Sequence, residues 1–426
     1  MPMSWEMLYA DRTNCMKNSG IREFFKLTER PDVISFAGGF PSPDCFPQDL
    51  IARALSELVM NEGTSVLQYG PTEGNQRLRL YLAQKMTREG TISSEENILI
   101  TNGSQQGLDL ISKVLLNPHD LVIAEEPGYV GGLGAMNNYQ GNIVPVSIDE
   151  EGLCTHLLEK KLKRFKREGK QVKLVYVVPN FQNPTGVTLS LERRHHLLQL
   201  ASRFNFIIVE DNPYGELRFQ GDFLPSIKSL DTEGRVIYLG SFSKTFIPGI
   251  RVGWIAADPF LIDKMIAAKQ ATDLCSNTLG QRLALYFSEN EYIDHHVESL
   301  VSYYHPKRDL MLQAMEQHFP AGINWTVPQG GFFIWVTFPT RMSSREVLLQ
   351  SLERQKVAFV DGAGFFTNGT GHNTARFSFS EATTAEIEQG IARLGQLLKD
   401  EMSPGTLSAA DREANENLSL ARTASK

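Results

Sequence analysis

Between about residues 96 and 257 the sequence alternates short, unbroken apolar runs with amphipathic segments, and few folds accommodate that pattern. The runs are Asn97–Thr101, Leu121–Ala124, Ile143–Val146, Val172–Val178, Phe206–Val209, Val236–Leu239 and Val252–Ala256. They are too short for core helices and lack the polar alternation of a half-exposed strand. Strands that are apolar on both faces need cover on both faces, and stretches such as Gln105–Leu116 and Leu191–Phe204 read as the helices that supply it. The pattern therefore predicts an α/β chain with a mostly parallel sheet between helical layers. After about residue 300 the texture changes. A helix over Pro306–His318, a strand Gly331–Phe338, a helix Ser344–Arg354 and strands Val357–Val360 and Arg376–Ser380 predict a smaller α+β layer.

Composition narrows the function classes. The 426 residues carry 42 Lys plus Arg against 49 Asp plus Glu, a net charge of −7, which argues against non-specific nucleic-acid binding. The basic run Lys160–Arg167 is the exception, and it reads as the solvated face of a helix whose Leu157, Leu158, Leu162 and Phe165 point inward. No apolar stretch approaches the ~18 residues of a membrane span, and the first residues match neither a secretory nor a transit signal. Membrane, secreted and collagen-like proteins are excluded, and a cytoplasmic location is expected. The four cysteines form no CxxC pair, as suits a reducing compartment, and the histidines lack metal-ligand spacing, so no metal is expected.

Several strand ends carry chemistry. Ser241-Phe242-Ser243-Lys244 follows the strand Val236–Leu239, with Arg251 seven residues beyond the lysine. A lysine past a buried strand end loses basicity and becomes a nucleophilic amine able to form a Schiff base with an aldehyde. The hydroxyls of Ser241 and Ser243, Lys244 and Arg251 could together hold a dianionic phosphate. Ile207-Ile208-Val209-Glu210-Asp211 ends in a carboxylate where open α/β sheets bind ligands, and Tyr214 follows. Asp211 could pair with a protonated ring nitrogen, and Tyr214 and Asn183, the latter in a Pro-flanked turn, with a phenolic oxygen. Asn102-Gly103-Ser104-Gln105 joins a strand to a helix whose N-terminus favours an anion. Tyr129 could lie over a planar cofactor.

This set, in this order, resembles a fold-type I pyridoxal-phosphate (PLP) enzyme of the class I/II aminotransferases, nearest to the 2-aminoadipate and kynurenine aminotransferase branch. The similarity covers roughly residues 20–400. By that resemblance Lys244 is the Schiff-base lysine, Asp211 the partner of the pyridine nitrogen, Asn183 and Tyr214 the contacts of the phenolic oxygen, and Tyr129 the stacking ring. Ser104, Gln105, Ser241, Ser243 and Arg251 form the phosphate cup. Tyr69 reaches the phosphate of a neighbouring subunit, which implies a homodimer with shared active sites. Arg376 clamps the substrate α-carboxylate. Gly38-Gly39 lie in the segment that closes over substrate, and Arg22 meets a distal side-chain group.

The resemblance also divides the chain. Residues 1–45 would join the small domain and cover the active site, 46–300 form the large PLP domain, 301–402 the small one, and 403–426 a disordered tail. The implied activity is ping-pong transfer of the amino group of an L-amino acid (2-aminoadipate, aromatic or branched-chain) to a 2-oxo acid, 2-oxoglutarate by family likeness. Two alternatives use the same cofactor motifs: a biosynthetic PLP enzyme performing elimination, cyclisation or decarboxylation, and a ligand-sensing regulator domain. Asn212, Trp254 and Phe332 depart from the family pattern without removing a catalytic group.

Overall fold

The computed structural model describes residues 5–16 and 32–403. Its strands, in chain order, begin with β1 (Ile34–Ser35), β2 (Ile98–Thr101), β3 (Leu121–Glu126), β4 (Asn142–Asp149) and β5 (Gly152–Leu153). There follow β6 (Val172–Val177), β7 (Ile207–Asp211), β8 (Val236–Ser241) and β9 (Gly253–Ala256). The last are β10 (Asn324–Trp325), β11 (Phe333–Thr337), β12 (Val357–Ala358), β13 (Val360–Asp361) and β14 (Thr374–Ser378). Eight form one sheet in the order β2-β9-β8-β7-β6-β3-β4-β5. From β8 to β4 neighbours run parallel, whereas β9 is antiparallel to both of its neighbours and β5 to β4. The α/β class with a mostly parallel sheet is therefore what the chain adopts. The reversal of β9 lies beyond the apolar pattern, which carries no direction.

Alternate residues of these strands enter two separate cores. Val122, Leu174, Val209, Leu239 and Ile255 pack with Leu108 and Ile111 of the helix Ser104–Leu115. Ile123, Val175, Ile208 and Val236 pack on the other face with Leu158 and Leu162 of Thr155–Arg167 and Leu197 and Leu200 of Leu191–Phe204. Each fully buried Leu, Ile or Val contributes about 1.5–3 kcal/mol, which fixes register against a one-residue slip. The helix Leu191–Phe204 starts at Ser190, whose hydroxyl accepts from the Arg193 N–H, and stops at Asn205 in the left-handed conformation. The basic run lies on Thr155–Arg167 with Leu158, Leu162 and Phe165 buried and Lys163 paired with Glu159.

The smaller layer is an antiparallel sheet, β10-β11-β14-β13. Two expectations change here. The stretch Val357–Val360 is not one strand: β12 pairs in parallel with β1, while β13 pairs with β14, and the buried Phe359 lies between them. The helix predicted to begin at Pro306 spans Tyr292–His318, with Pro306 inside it, so residue 300 lies within a continuous helix. Proline favours a helix start. Here Leu300, Tyr304, Met311 and Met315 bury one face on both sides of it, and that burial outweighs the missing hydrogen bond. The expected tail and the segment Ser19–Arg22 fall outside the described residues.

Candidate active site

A cavity of about 1370 Å³ opens where the ends of β3, β6, β7 and β8 meet the small sheet. It brings together Gly39, Ser104, Gln105, Tyr129, Asn183, Asp211, Tyr214, Ser241, Ser243, Lys244, Arg251 and Arg376. Tyr69 does not line it and is 77% exposed. Arg22 is outside the described residues.

Asp211 and Lys244 owe their positions to strand ends. Asp211 is the last residue of β7 and is buried. Its Oδ2 accepts a hydrogen bond from the Tyr176 hydroxyl at 2.9 Å, while Oδ1 has no partner among the described residues. Burial pushes this carboxyl up to about 7, and the Tyr176 bond only partly opposes that. A buried acceptor left open is costly unless something donates to it. Lys244 follows β8, and its Nζ donates to the Gly39 carbonyl at 2.7 Å. Burial, followed by the charges of Arg376 and Arg251 and against that of Glu381, brings the amine down to about 8.

The opposite wall comes from β14. Arg376 is buried with its guanidinium 4.4 Å from the Phe333 ring centroid. It donates to Asn183 Oδ1 at 3.0 Å and to the Ala37 carbonyl at 2.8 Å, and its Nε has no partner among the described residues. Burial lowers it to about 10. Tyr214 is buried against Phe332 and Phe333, with the Asn183 amide beside its hydroxyl. Burial raises the hydroxyl well above the usual phenol range.

The third wall is the turn before the helix Ser104–Leu115. Gly103 has φ +73°, and a Cβ there would come within 2.6 Å of the Arg251 guanidinium. Gly253 likewise has no room for a side chain against Gly103 and Ser104. The turn, the helix N-terminus, Ser241, Ser243 and Arg251 therefore surround a small concave space that suits an anion.

Motif reading misses several contributors. Tyr176 lies inside β6 and reads as core, yet it holds Asp211. Glu125, in β3, is buried and pushed up to about 8 by burial; its Oε2 accepts from the Val178 N–H and from Gln182 Nε2. Gln182 also donates to the Pro127 carbonyl, joining the Tyr129 loop to the Asn183 loop. Glu126 accepts from the Thr367 N–H and hydroxyl and from Asn368 Nδ2, tying the large sheet to the small unit. No spacing rule announces such pairs, since each joins segments remote in sequence. Trp254 packs on Tyr238 and Phe242 in the large-sheet core, and Phe332 lies 5.7 Å from the Lys244 amine.

The sequence pattern of the family "Aminotransferase class I and II" matches residues 31–394. The chain belongs to this family. The aminotransferase is 45% identical to aromatic-amino-acid aminotransferase 1 of Thermococcus litoralis, over 94% of its own length and 96% of that protein's. It is 44% identical to the kynurenine aminotransferase of Pyrococcus horikoshii, solved with PMP, with a TM-score of 0.90 over 93% of this chain and 98% of that one. The α-aminoadipate aminotransferase of Thermus thermophilus, solved with N-(5'-phosphopyridoxyl)-L-leucine, shares 36% identity at a TM-score of 0.86, covering 93% and 99%. The fold is therefore aminotransferase fold type I and the enzyme is a PLP-dependent aminotransferase. The cavity fits that cofactor: an open buried oxygen on Asp211, an amine of lowered basicity on Lys244 and an anion cradle at Gly103 and Arg251. No helix among the described residues is long and apolar enough to cross a membrane.

Proposed function

We propose that this aminotransferase takes the amino group from an L-amino acid of the 2-aminoadipate, aromatic or branched-chain type. It passes that group to a 2-oxo acid, 2-oxoglutarate, in a ping-pong cycle. The observation that carries the reading is one cavity holding both a half-buried lysine amine of pKa about 8 and a buried arginine with an open Nε. The first can move a proton near neutral pH, and the second can grip a carboxylate through parallel hydrogen bonds. Bound PLP supplies an electron sink for the carbon that loses its proton.

The roles follow from position. Asp211 Oδ1 holds the proton on the ring nitrogen, and Tyr176 keeps the other oxygen occupied. Asn183 and Tyr214 hold the phenolic oxygen, and Tyr129 covers the ring. Ser104, Gln105, Ser241, Ser243 and Arg251 hold the phosphate. Lys244 carries the proton from the substrate's α-carbon, starting from its place against the Gly39 carbonyl. Arg376 orients the α-carboxylate; because one arginine serves donor and acceptor in turn, the first 2-oxo acid leaves before the second enters. Phe40, Phe333, Phe365 and Phe366 line the cavity, which suits a large or aromatic side chain, as do the substrates named for the relatives. Residues 46–300 and 301–402 act as the large and small domains of a cytoplasmic homodimer, in which the exposed Tyr69 reaches the partner's phosphate. Arg22 would meet the distal end of the substrate.

A half-reaction screen tests the proposal. Each amino acid is added to the PLP-loaded enzyme, and loss of its visible absorbance is followed together with 2-oxo acid formed. Stoichiometric 2-oxo acid from aromatic or 2-aminoadipate donors is expected, with 2-oxoglutarate restoring the absorbance. Release of ammonia or pyruvate without matching 2-oxo acid would overturn it. Sedimentation at micromolar concentration should show a dimer.

A further inference from the structure

Behind the anion cradle lies a charged network that none of the motifs includes. The helix Pro259–Asp273 ends at Asp273, and one turn earlier Lys269 is completely buried. Lys269 Nζ donates to Asp273 Oδ1 at 2.8 Å. The other carboxylate oxygen, Oδ2, accepts from Asn102 Nδ2 at 2.6 Å and from Gln106 Nε2 at 2.7 Å. Gln106 Oε1 in turn accepts from the Asn102 N–H at 2.8 Å. Both the side chain and the main chain of Asn102 are thereby tied to one carboxylate.

Asn102 is the residue before Gly103, so the network holds the turn that opens the helix Ser104–Leu115. The Asn102 carbonyl accepts from the Arg251 guanidinium at 3.3 Å. Thr101 closes the other side: its hydroxyl donates to the Gly103 carbonyl at 3.0 Å, and its own carbonyl accepts from the Gly103 N–H at 2.9 Å. A turn held this fully presents the first N–H groups of the helix in a fixed direction, with little entropy left to lose when an anion binds. A bare carboxylate this close to an anion site would repel the anion. Lys269 neutralises it, and burial of that lysine at the helix end is otherwise hard to account for, since a lysine is seldom fully buried unless paired.

We propose that Asp273, charge-balanced by Lys269, is a positioning residue for the cofactor phosphate: it pre-sets the Asn102–Ser104 turn and the Arg251 guanidinium before the phosphate arrives. It touches neither substrate nor cofactor. The inference rests on the phosphate reading of Ser104, Gln105 and Arg251.

The test measures dissociation constants of the apo-enzyme for PLP and for pyridoxal, which lacks the phosphate, by fluorescence titration. It uses Asp273→Asn, Gln106→Leu and Arg251→Ala, with the melting temperature of each apo-protein as a folding check. Gln106→Leu leaves the Lys269–Asp273 pair intact and serves if Asp273→Asn does not fold. Asp273→Asn should weaken PLP about tenfold or more, from the loss of charge-assisted hydrogen bonds, and Gln106→Leu somewhat less. Pyridoxal affinity should stay within about twofold in both, because the phosphate is the group the turn serves. Equal losses for PLP and pyridoxal, or no loss for either in the folded variants, would overturn the proposal. Arg251→Ala separates the two readings. If it weakens PLP while Asp273→Asn and Gln106→Leu do not, the positioning role fails alone; if it changes nothing, the phosphate reading fails first.

Discussion

The two sides of the cavity are built differently. On the proposed cofactor side, Asp211, Ser241 and Lys244 stand at or just past the ends of the adjacent parallel strands β7 and β8, and Asn183 follows in the loop after β6. On the proposed substrate side, Gly39, Arg376, Phe333 and Phe365 belong to the small sheet and the segments bonded to it, which reach the strand ends of the large sheet only when the two units dock. Arg376 bonds to residues 193 and 339 positions away, and Lys244 to one 205 positions away. The difference separates rigidity from selectivity. The proposed cofactor side is anchored in neighbouring strands of one sheet, and the proposed substrate side depends on a seam between two units, where local opening costs least.

Variants can test that separation, and the largest effect belongs on the cofactor side. Lys244→Ala should lower turnover by about 10⁴-fold or more, since the proposed function makes one group both nucleophile and proton carrier. It should also remove the borohydride-sensitive visible absorbance of the loaded enzyme. A variant that keeps that absorbance would place the lysine elsewhere.

Asp211→Ala comes next, with a fall of about 10²–10³-fold in kcat from lost electrostatic support. The KM for the amino donor should hardly move. Arg376→Lys should do the reverse in kind: a loss near 10²-fold in kcat/KM, carried largely by KM, because an ammonium cannot grip a carboxylate through two parallel bonds. PLP affinity should remain. If Arg376→Lys loosened the cofactor as much as the substrate, the two sides would not be separable.

A pH profile sharpens the cofactor side further. Burial disfavours the charged amine, so Lys244 in the cofactor-free protein should release its proton near pH 8 rather than at 10.5. Below that pH the amine is protonated and cannot attack. The rate at which apo-enzyme combines with PLP should therefore rise about tenfold per pH unit up to about 8 and level above it. A rate still climbing steeply past pH 9.5 would mean an exposed, ordinary lysine.

The smallest effect is expected at the seam. Glu126→Ala removes the bonds to Thr367 and Asn368, beside Phe366 at the cavity wall. These bonds are exposed and water replaces most of what they contribute, so their joint loss should cost about one ordinary hydrogen bond, and KM should rise about three- to tenfold with PLP affinity unchanged. Hydrogen exchange over residues 362–371 should quicken at the same time.

Legibility in the sequence follows the same division. The cofactor-side residues are readable because each sits a fixed few positions from an apolar run whose end is visible in the sequence. Arg376 and Gly39 emerge through family likeness, since nothing local marks an arginine inside a strand as a ligand. Tyr176, Glu125, Asp273 and Glu126 escape the sequence reading altogether: their partners lie tens to hundreds of positions away, and alone each looks like a core tyrosine or a surface acid. The helix through Pro306 and the split of Val357–Val360 show the same limit, because in both cases packing overrides a local preference.

The sequence by itself determined the layered α/β class, the strand ends and the order of chemical groups along them. These depend on periodicity and on residue type within a few positions of a turn. Tertiary structure decided the direction of β9, the meeting of Arg376 with Asn183, the open oxygen on Asp211 and the Lys269–Asp273 pair behind the Asn102–Ser104 turn. Those features depend on which distant groups share a small volume and how much water is left there, and no local stretch of sequence contains that information.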